Sequence, residues 1–273
     1  MKRNKSVLLS TPYIIWMVVF TLIPLCVVGY YALTDPSTGE FTADNLLNLS
    51  MYLPVLGESV LYSLISAGIC LLLGYPVAYY IAHRSQVTQK ILYMLIMLPM
   101  CMSFLLRTLA WVGLLQDTGI INNFLDWIGI GRLQLIRTPG AVVLGMVYNY
   151  LPYMILPLYS VIVKIDNRLI EAAEDLGCTP VQTFIKVVLP LSVPGILSGI
   201  TMVFVPAVST FYISQKLGGT DTVLIGDLIE RLFKQADNPN LGAALSLVLM
   251  ALVFVCTGIM NRFGGDEEGG VLV

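Results

Sequence analysis

Residues 141–163 read AVVLGMVYNYLPYMILPLYSVIV, an apolar run without Asp, Glu, Lys or Arg, and residues 164–188 follow as KIDNRLIEAAEDLGCTPVQTFIKVV, where charge returns. The first stretch decides the fold class, because about 20 apolar residues carry a helix across the hydrocarbon core of a bilayer. An unbroken run excludes a strand of a lipid-facing barrel, which alternates over about 10 residues. Five more stretches of the same kind flank it, at about 7–32, 59–82, 91–115, 187–214 and 241–260. The expectation is an all-α integral membrane protein with six transmembrane helices in a single domain, residues 1–263. The acidic, Gly-rich tail over 264–273 is expected to be disordered.

Composition agrees with this reading. The chain has 273 residues, 57% of them apolar and 12% charged, against about 25% charged in an ordinary soluble domain. Its mean hydropathy is +0.82. A net charge of −2 offers no basic face for nucleic acid. The five cysteines (Cys26, Cys70, Cys101, Cys178 and Cys256) are odd in number and contain no C-x-x-C pair, so neither a disulfide framework nor a zinc site follows. Lys2, Arg3 and Lys5 resemble the start of a signal peptide, but the apolar run after them is too long and no A-x-A site closes it. It reads as a retained first helix.

Orientation follows from Lys and Arg. With the N-terminus inside, the cytoplasmic segments carry Lys2, Arg3, Lys5, Arg84, Lys90, Lys164, Arg168, Lys186 and Arg262. The outer segments carry only Arg132, Arg137, Lys216, Arg231 and Lys234. This asymmetry puts both termini in the cytoplasm.

The segment after the decisive run is more than a loop. Asp166-Asn167 can cap a short helix over 168–176, on which Leu169, Ala172, Ala173 and Leu176 form one apolar stripe. Gly177 is placed to end it in a left-handed conformation. Thr179-Pro180-Val181-Gln182 then restarts helix with a capping box and Pro in the first turn. A helix this short is marginal in water, so something must hold it. Two readings stand: an interfacial helix resting on lipid, or a knob that docks into a cytoplasmic partner. The small residues Ala172, Ala173 and Gly177 favour docking.

The pattern of that segment resembles a known family. Glu171-Ala172-Ala173, three residues, Gly177, nine residues, Val187, one residue and Leu189-Pro190 resembles the EAA loop of importer-type ABC permeases, with Val187 where the pattern has Ile. Leu73–Tyr79, Leu106–Trp111, Leu151–Tyr159 and Leu217-Gly218-Gly219 are similar to stretches of the polyamine-type permeases, in particular the B-type inner-membrane subunit of spermidine/putrescine importers. The likeness runs from about residue 10 to 260.

The resemblance implies that the EAA residues insert into a cleft of a cytoplasmic nucleotide-binding ATPase. It also implies a second permease subunit, a paralogue, and an extracellular substrate-binding protein, in the plasma membrane of a bacterium. ATP is then used by the partner subunits, and this chain binds no cofactor. Permeases for iron, sulfate, thiamine or phosphonates share parts of these motifs, so another small solute stays open.

Other chemistry is sparse. The single histidine, His83, sits beside Arg84 at a membrane interface and cannot build a metal cluster. No G-x-x-x-x-G-K-[ST] loop is present to cradle phosphates, and no Ser–His–Asp set assembles, so an enzyme is disfavoured. The spans hold no Asp or Glu, which disfavours an ion-coupled secondary transporter. Arg107 is the one charge inside a span, either facing the bundle or snorkelling to an interface.

A polycation crossing such spans would meet carbonyls, hydroxyls and ring faces. Tyr148, Asn149, Tyr150 and Tyr153, with Phe211 and Tyr212, are the path candidates, at about 0.5–2 kcal/mol per cation–π contact. The competing reading is that these rings pack between helices. Pro190 and Pro194, directly after the EAA loop, would let the fifth span pivot when the loop is pushed.

Overall fold

The computed structural model describes residues 12–35, 39–42, 45, 48–219, 222–234 and 238–264. Lys2, Arg3 and Lys5, the acids Asp44, Asp221 and Asp237, and the tail over 265–273 lie outside the described residues. Regular structure among the described residues is helical, apart from an isolated antiparallel bridge between Thr34 and Phe41. The helices are α1 Pro12–Ala32, α2 Leu53–Ala82, α3 Gln86–Met97, α4 Phe104–Leu115, α5 Ile120–Trp127, α6 Pro139–Ile162, α7 Asn167–Asp175, α8 Pro180–Val208, α9 Ile225–Lys234 and α10 Pro239–Gly264. Among the described residues six helical stretches are long and apolar enough to cross a membrane: Pro12–Ala32, Leu49–Ala82, Phe104–Trp127, Pro139–Ile162, Pro180–Val208 and Pro239–Met260.

Three spans differ from expectation. The second begins earlier than 59, at Leu49. A single helix over 91–115 does not form. α3 stops at Met97, a 3₁₀ turn covers Leu98–Cys101, and α4 starts at Phe104. Leu98 before Pro99 keeps helical angles (φ −57°, ψ −44°); Pro99 lacks the N–H that would continue the α ladder, and the chain tightens there into the 3₁₀ turn. Helix is left at Met102 and Ser103, which are extended with ψ of 147° and 131°. The third apolar stretch is therefore α4 with α5.

The fifth span also shifts, from 187–214 to Pro180–Val208. Its start moves back because the capped turn at Thr179 feeds straight into the membrane helix. Its end moves back because Ser209 Oγ donates to the carbonyls of Val205 and Pro206, at 3.1 and 3.4 Å, offering the backbone an exit from the helix. A separate π turn follows at Ser214–Gly218.

The chain divides into two compact units. One comprises Val55–Asp227 with Val253–Val273, and α6 is its centre: 67% of the apolar window of α6 is buried, with Val142, Met146, Met154 and Leu158 inside. In lipid the tails are as apolar as the side chains, so helices associate through close packing and small residues. Gly195 and Gly199 of α8 supply this contact. A methyl at Gly195 would lie 3.1 Å from Val161 Cβ and 3.2 Å from the Pro157 carbonyl; one at Gly199 would lie 2.6 Å from Met154 Sδ. Polar groups are paired across helices as well: Tyr75 Oη and Ser192 Oγ are 2.8 Å apart, and Ser59 Oγ accepts from the Ile225 N–H at 2.8 Å.

The other unit comprises Met1–Pro54 with Leu228–Leu252. Here the C-terminal carbonyls of α1, which helix geometry leaves without intrahelical partners, are met by side chains: Thr34 Oγ1 donates to Tyr30 O at 2.9 Å and Asn45 Nδ2 to Ala32 O at 3.4 Å. Past the helix end, Asn45 Nδ2 also donates to Thr34 O at 2.9 Å, and Asn240 Nδ2 donates to the same carbonyl at 2.6 Å. Ala32, Ala243 and Ala244 pack beside this knot. The rest of α1 carries its side chains outward, Trp16 and Phe20 among them, an apolar surface suited to lipid.

The α6–α8 contact gives a direct test. Gly195→Ala should lower the thermal unfolding midpoint in detergent, at a cost of about 1–3 kcal/mol from overpacking. Gly68→Ala, in α2 with nothing near the added methyl, should leave the midpoint unchanged or raise it slightly.

Candidate functional site

The 164–188 segment folds as its caps dictate. Asp166 Oδ1 accepts from the Arg168 N–H at 3.0 Å and opens α7. At the other end Gly177 has φ of +85°. Its N–H donates to Glu174 O at 2.8 Å, and the Cys178 N–H donates to Ala173 O at 3.1 Å. These two bonds are the Schellman pair that closes a helix around a left-handed residue. Thr179 Oγ1 then accepts from the Gln182 N–H at 3.4 Å while Gln182 Oε1 accepts from the Thr179 N–H at 3.0 Å. Both ends of the bend are held by their own side chains.

The bend presents a defined surface. Of the α7 stripe only Ala173 is buried; Leu169 and Ala172 are exposed, and Leu176 is 87% exposed. Val181 and Ile185 continue the apolar surface into α8, and Glu171, Glu174 and Asp175 stand beside it in solvent. Behind α7 lies a cavity of about 340 Å³ lined by His83, Arg84, Gln86, Gln89, Asn167 and Ile170. His83 is exposed, its ring 4.2 Å from that of Tyr79 and its Nδ1 2.9 Å from the Tyr79 carbonyl. Both contacts are with α2, the helix it directly follows.

Val187, Leu189 and Pro190 sit where α7 and its bend meet the membrane helix. Phe184–Val188 is a π turn, closed by the Leu189 N–H donating to Phe184 O. Pro190 has no N–H to return to the Lys186 carbonyl, and the widened turn accommodates that missing bond. The helix axis nonetheless continues through Pro190 and Pro194 to Val208.

The path candidates are only partly brought together. Tyr150 lies 6.5 Å from Phe104 and 6.3 Å from Tyr153, and Tyr212 lies 6.3 Å from Phe104, between ring centres. Tyr148 stacks edge-on against Trp111 at 5.4 Å. Asn149 and Phe211 stand apart. Asn149 is 1% exposed; its Nδ2 donates to the Gly145 carbonyl of its own helix at 2.9 Å, while its Oδ1 has no hydrogen-bond partner among the described residues. Phe211 is exposed beyond the end of α8.

Phe104 and Trp111 were not among the candidates. The signal that could have found them is their spacing with Arg107 and Thr108, which puts all four on one face of α4. Arg107 is 6% exposed and faces into the bundle instead of snorkelling; its Nε and Nη1 have no hydrogen-bond partner among the described residues. Near the far end of α4 a polar cavity of about 530 Å³ is lined by Gln116, Asp117, Gln134, Arg137, Gln215 and Lys216. Among the described residues no group of three or more His, Cys, Asp or Glu side chains could hold a metal.

Comparison with known proteins follows from this geometry. The family described as binding-protein-dependent transport system inner membrane component matches residues 71–264. The chain belongs to that family. It is 37% identical over 243 residues to the spermidine/putrescine transport system permease protein PotB of Escherichia coli, covering 86% of this chain and 88% of that protein. It is 39% identical to PotB of Haemophilus influenzae, covering 90% and 92%. A chain of a bacterial ABC transporter that imports alginate shares the fold with a TM-score of 0.77 at 19% identity, covering 97% of both chains. The alginate transporter has also been solved with its periplasmic protein carrying an alginate pentasaccharide, and there the TM-score is 0.73 at 20% identity. The six-helix membrane fold and the reading as a multi-pass permease therefore hold.

The caps make the bend testable by itself. Thr179→Ala removes one half of the capping box and should cost about 1 kcal/mol locally. Amide hydrogen exchange over residues 179–183 should accelerate several-fold while the amides of α6 keep their protection.

Proposed function

We propose that this chain is the transmembrane permease subunit of an ATP-binding-cassette importer for spermidine or putrescine, working beside a second, paralogous permease subunit. Substrate reaches it from an external binding protein, and partner ATPases in the cytoplasm supply the energy. Both termini are cytoplasmic on this reading, and α7 with its bend is the coupling element. The observation that carries it is the outward-facing surface of Leu169, Glu171, Ala172 and Leu176, held on a bend whose caps are all internal to it.

Mechanically, the bend and the fifth span are one body. α8 runs 29 residues from Pro180 without leaving the helix, about 43 Å at 1.5 Å per residue. A clamp closing on Ala172 and Gly177 would push the end of this rod. Gly195 and Gly199 give it a fulcrum against α6. The π turn at Phe184–Val188 and the prolines at 190 and 194 place the compliant section between the push and the fulcrum. ATP-driven closure biases a two-state equilibrium only through such differential contact.

The substrate surface on this reading is the ring cluster of Phe104, Tyr150, Tyr153 and Tyr212. Ring faces attract a cation by about 0.5–2 kcal/mol each, enough to guide an amine and too little to hold it. Selection then falls to the external binding protein.

Two experiments decide the reading. Vesicles reconstituted with the full transporter should take up radiolabelled spermidine or putrescine in the presence of ATP and the binding protein; uptake of iron, thiamine, phosphonate or sulfate instead would replace the substrate assignment. Gly177→Asp forces a side chain into the left-handed backbone and adds charge to the docking surface. It should leave the protein in the membrane and lower binding-protein-stimulated ATP hydrolysis on the order of tenfold or more. Unchanged stimulation would remove the coupling role of the bend.

A further inference from the structure

A groove of about 460 Å³ runs along the outer face of α3 and α6, with Lys90, Lys164, Tyr93, Met94, Leu156 and Val163 around it. Its size is in the range of small-ligand sites, roughly 300–1,000 Å³. The two helices are fixed in register by Tyr159, whose hydroxyl donates to Gln89 Oε1 at 3.1 Å and whose ring lies 5.8 Å from that of Tyr93. Lys90 follows Gln89 directly, and Lys164 lies just past the end of α6, so both ammonium groups belong to the end of the groove beside α7. Met94 lies about one turn deeper along α3 than Lys90, and Leu156 about two turns deeper along α6 than Lys164.

The groove is therefore cationic at one end and apolar at the other. No Asp or Glu lines it, and neither lysine has an ion-pair or hydrogen-bond partner among the described residues. Met94 and Val163 are exposed, so the apolar wall faces outward from the bundle. A free phosphate ion would be served by the lysines and would gain nothing from that wall. A molecule with an anionic head and hydrocarbon tails is served by both ends at once. Basic pockets between membrane helices near the surface take anionic lipid headgroups for this reason.

We propose that this groove is a binding site for one anionic phospholipid, its phosphate between Lys90 and Lys164 and its acyl chains along Tyr93, Met94 and Leu156. The site depends only on the chain lying in a bilayer, not on the identity of the transported solute. It sits at the end of α6 that leads into α7, so an occupied groove would brace the root of the bend.

The test is native mass spectrometry of the detergent-purified transporter titrated with phosphatidylglycerol or phosphatidylcholine. Wild type should retain phosphatidylglycerol in preference to phosphatidylcholine. The double variant Lys90→Gln with Lys164→Gln should reduce that retention by about tenfold, Lys90→Arg with Lys164→Arg should restore it, and Lys186→Gln should not alter it. Equal retention of the two lipids, or no loss in the double Gln variant, overturns the site. Displacement of the lipid by millimolar inorganic phosphate assigns the lysines to a soluble anion and overturns it too. Should the double variant not fold, wild type answers alone: photoactivatable phosphatidylglycerol should label the peptide containing Tyr93 and Met94 more strongly than photoactivatable phosphatidylcholine, and equal labelling overturns the proposal.

Discussion

The close approach of α8 to α6 at Gly195 and Gly199 is the contact on which the larger unit depends. Two membrane helices gain nothing from burying apolar surface against each other, since lipid already covers it. What remains is dispersion, which falls away within an ångström of lost fit, and α6 meets α8 with backbone carbonyl and β-branched side chain directly against glycine. With that contact formed, Met154 and Leu158 are fully enclosed, and Ser192 of α8 meets Tyr75 of α2. The fit also couples the two helices mechanically, because a rod seated on glycines can rock about them but cannot slide without meeting Val161 or Met154.

Much of this was legible in the sequence because lipid imposes so simple a rule. A chain crossing hydrocarbon must satisfy its backbone within each helix, so unbroken apolar runs give the spans. The bend was legible for the opposite reason: it is exposed, water competes for its backbone groups, and its geometry must be specified by caps. Asp166, Gly177, Thr179 and Gln182 each make the cap their position implies. The stripe of Leu169, Ala172, Ala173 and Leu176 was legible as a face offered to lipid or to a partner, and the structure turns all of it but Ala173 outward.

The failures share one cause. Proline inside an apolar run does not reveal whether the helix bends, widens or ends. Pro76, Pro152, Pro157 and Pro194 all remain inside helices, whereas Pro99 ends one. The difference lies in tertiary surroundings that a single run of residues does not encode. The same holds for the ring cluster. Tyr150 and Tyr153 were conspicuous beside Pro152, but Phe104 joins them only across the α4–α6 interface, and an apolar ring within an apolar run carries no mark of its own. Asn149 was conspicuous for its polarity, and half of it goes to its own helix: Nδ2 donates to the Gly145 carbonyl, while Oδ1 is left without a partner among the described residues.

Arg107 draws these strands together. Its guanidinium is buried with two nitrogens unpartnered among the described residues, and a buried charge lacking hydrogen bonds is costly even where the dielectric is generous. It shares a face of α4 with Phe104 and Trp111, whose rings meet Tyr150, Tyr212 and Tyr148. For a path that passes polyamines, a fixed cation beside weakly attractive rings works against tight binding along the way. Attraction of about 1 kcal/mol per ring opposed by a like charge leaves a shallow well, and a shallow well suits a conduit, which must release what it admits. The same arrangement would be a poor receptor site.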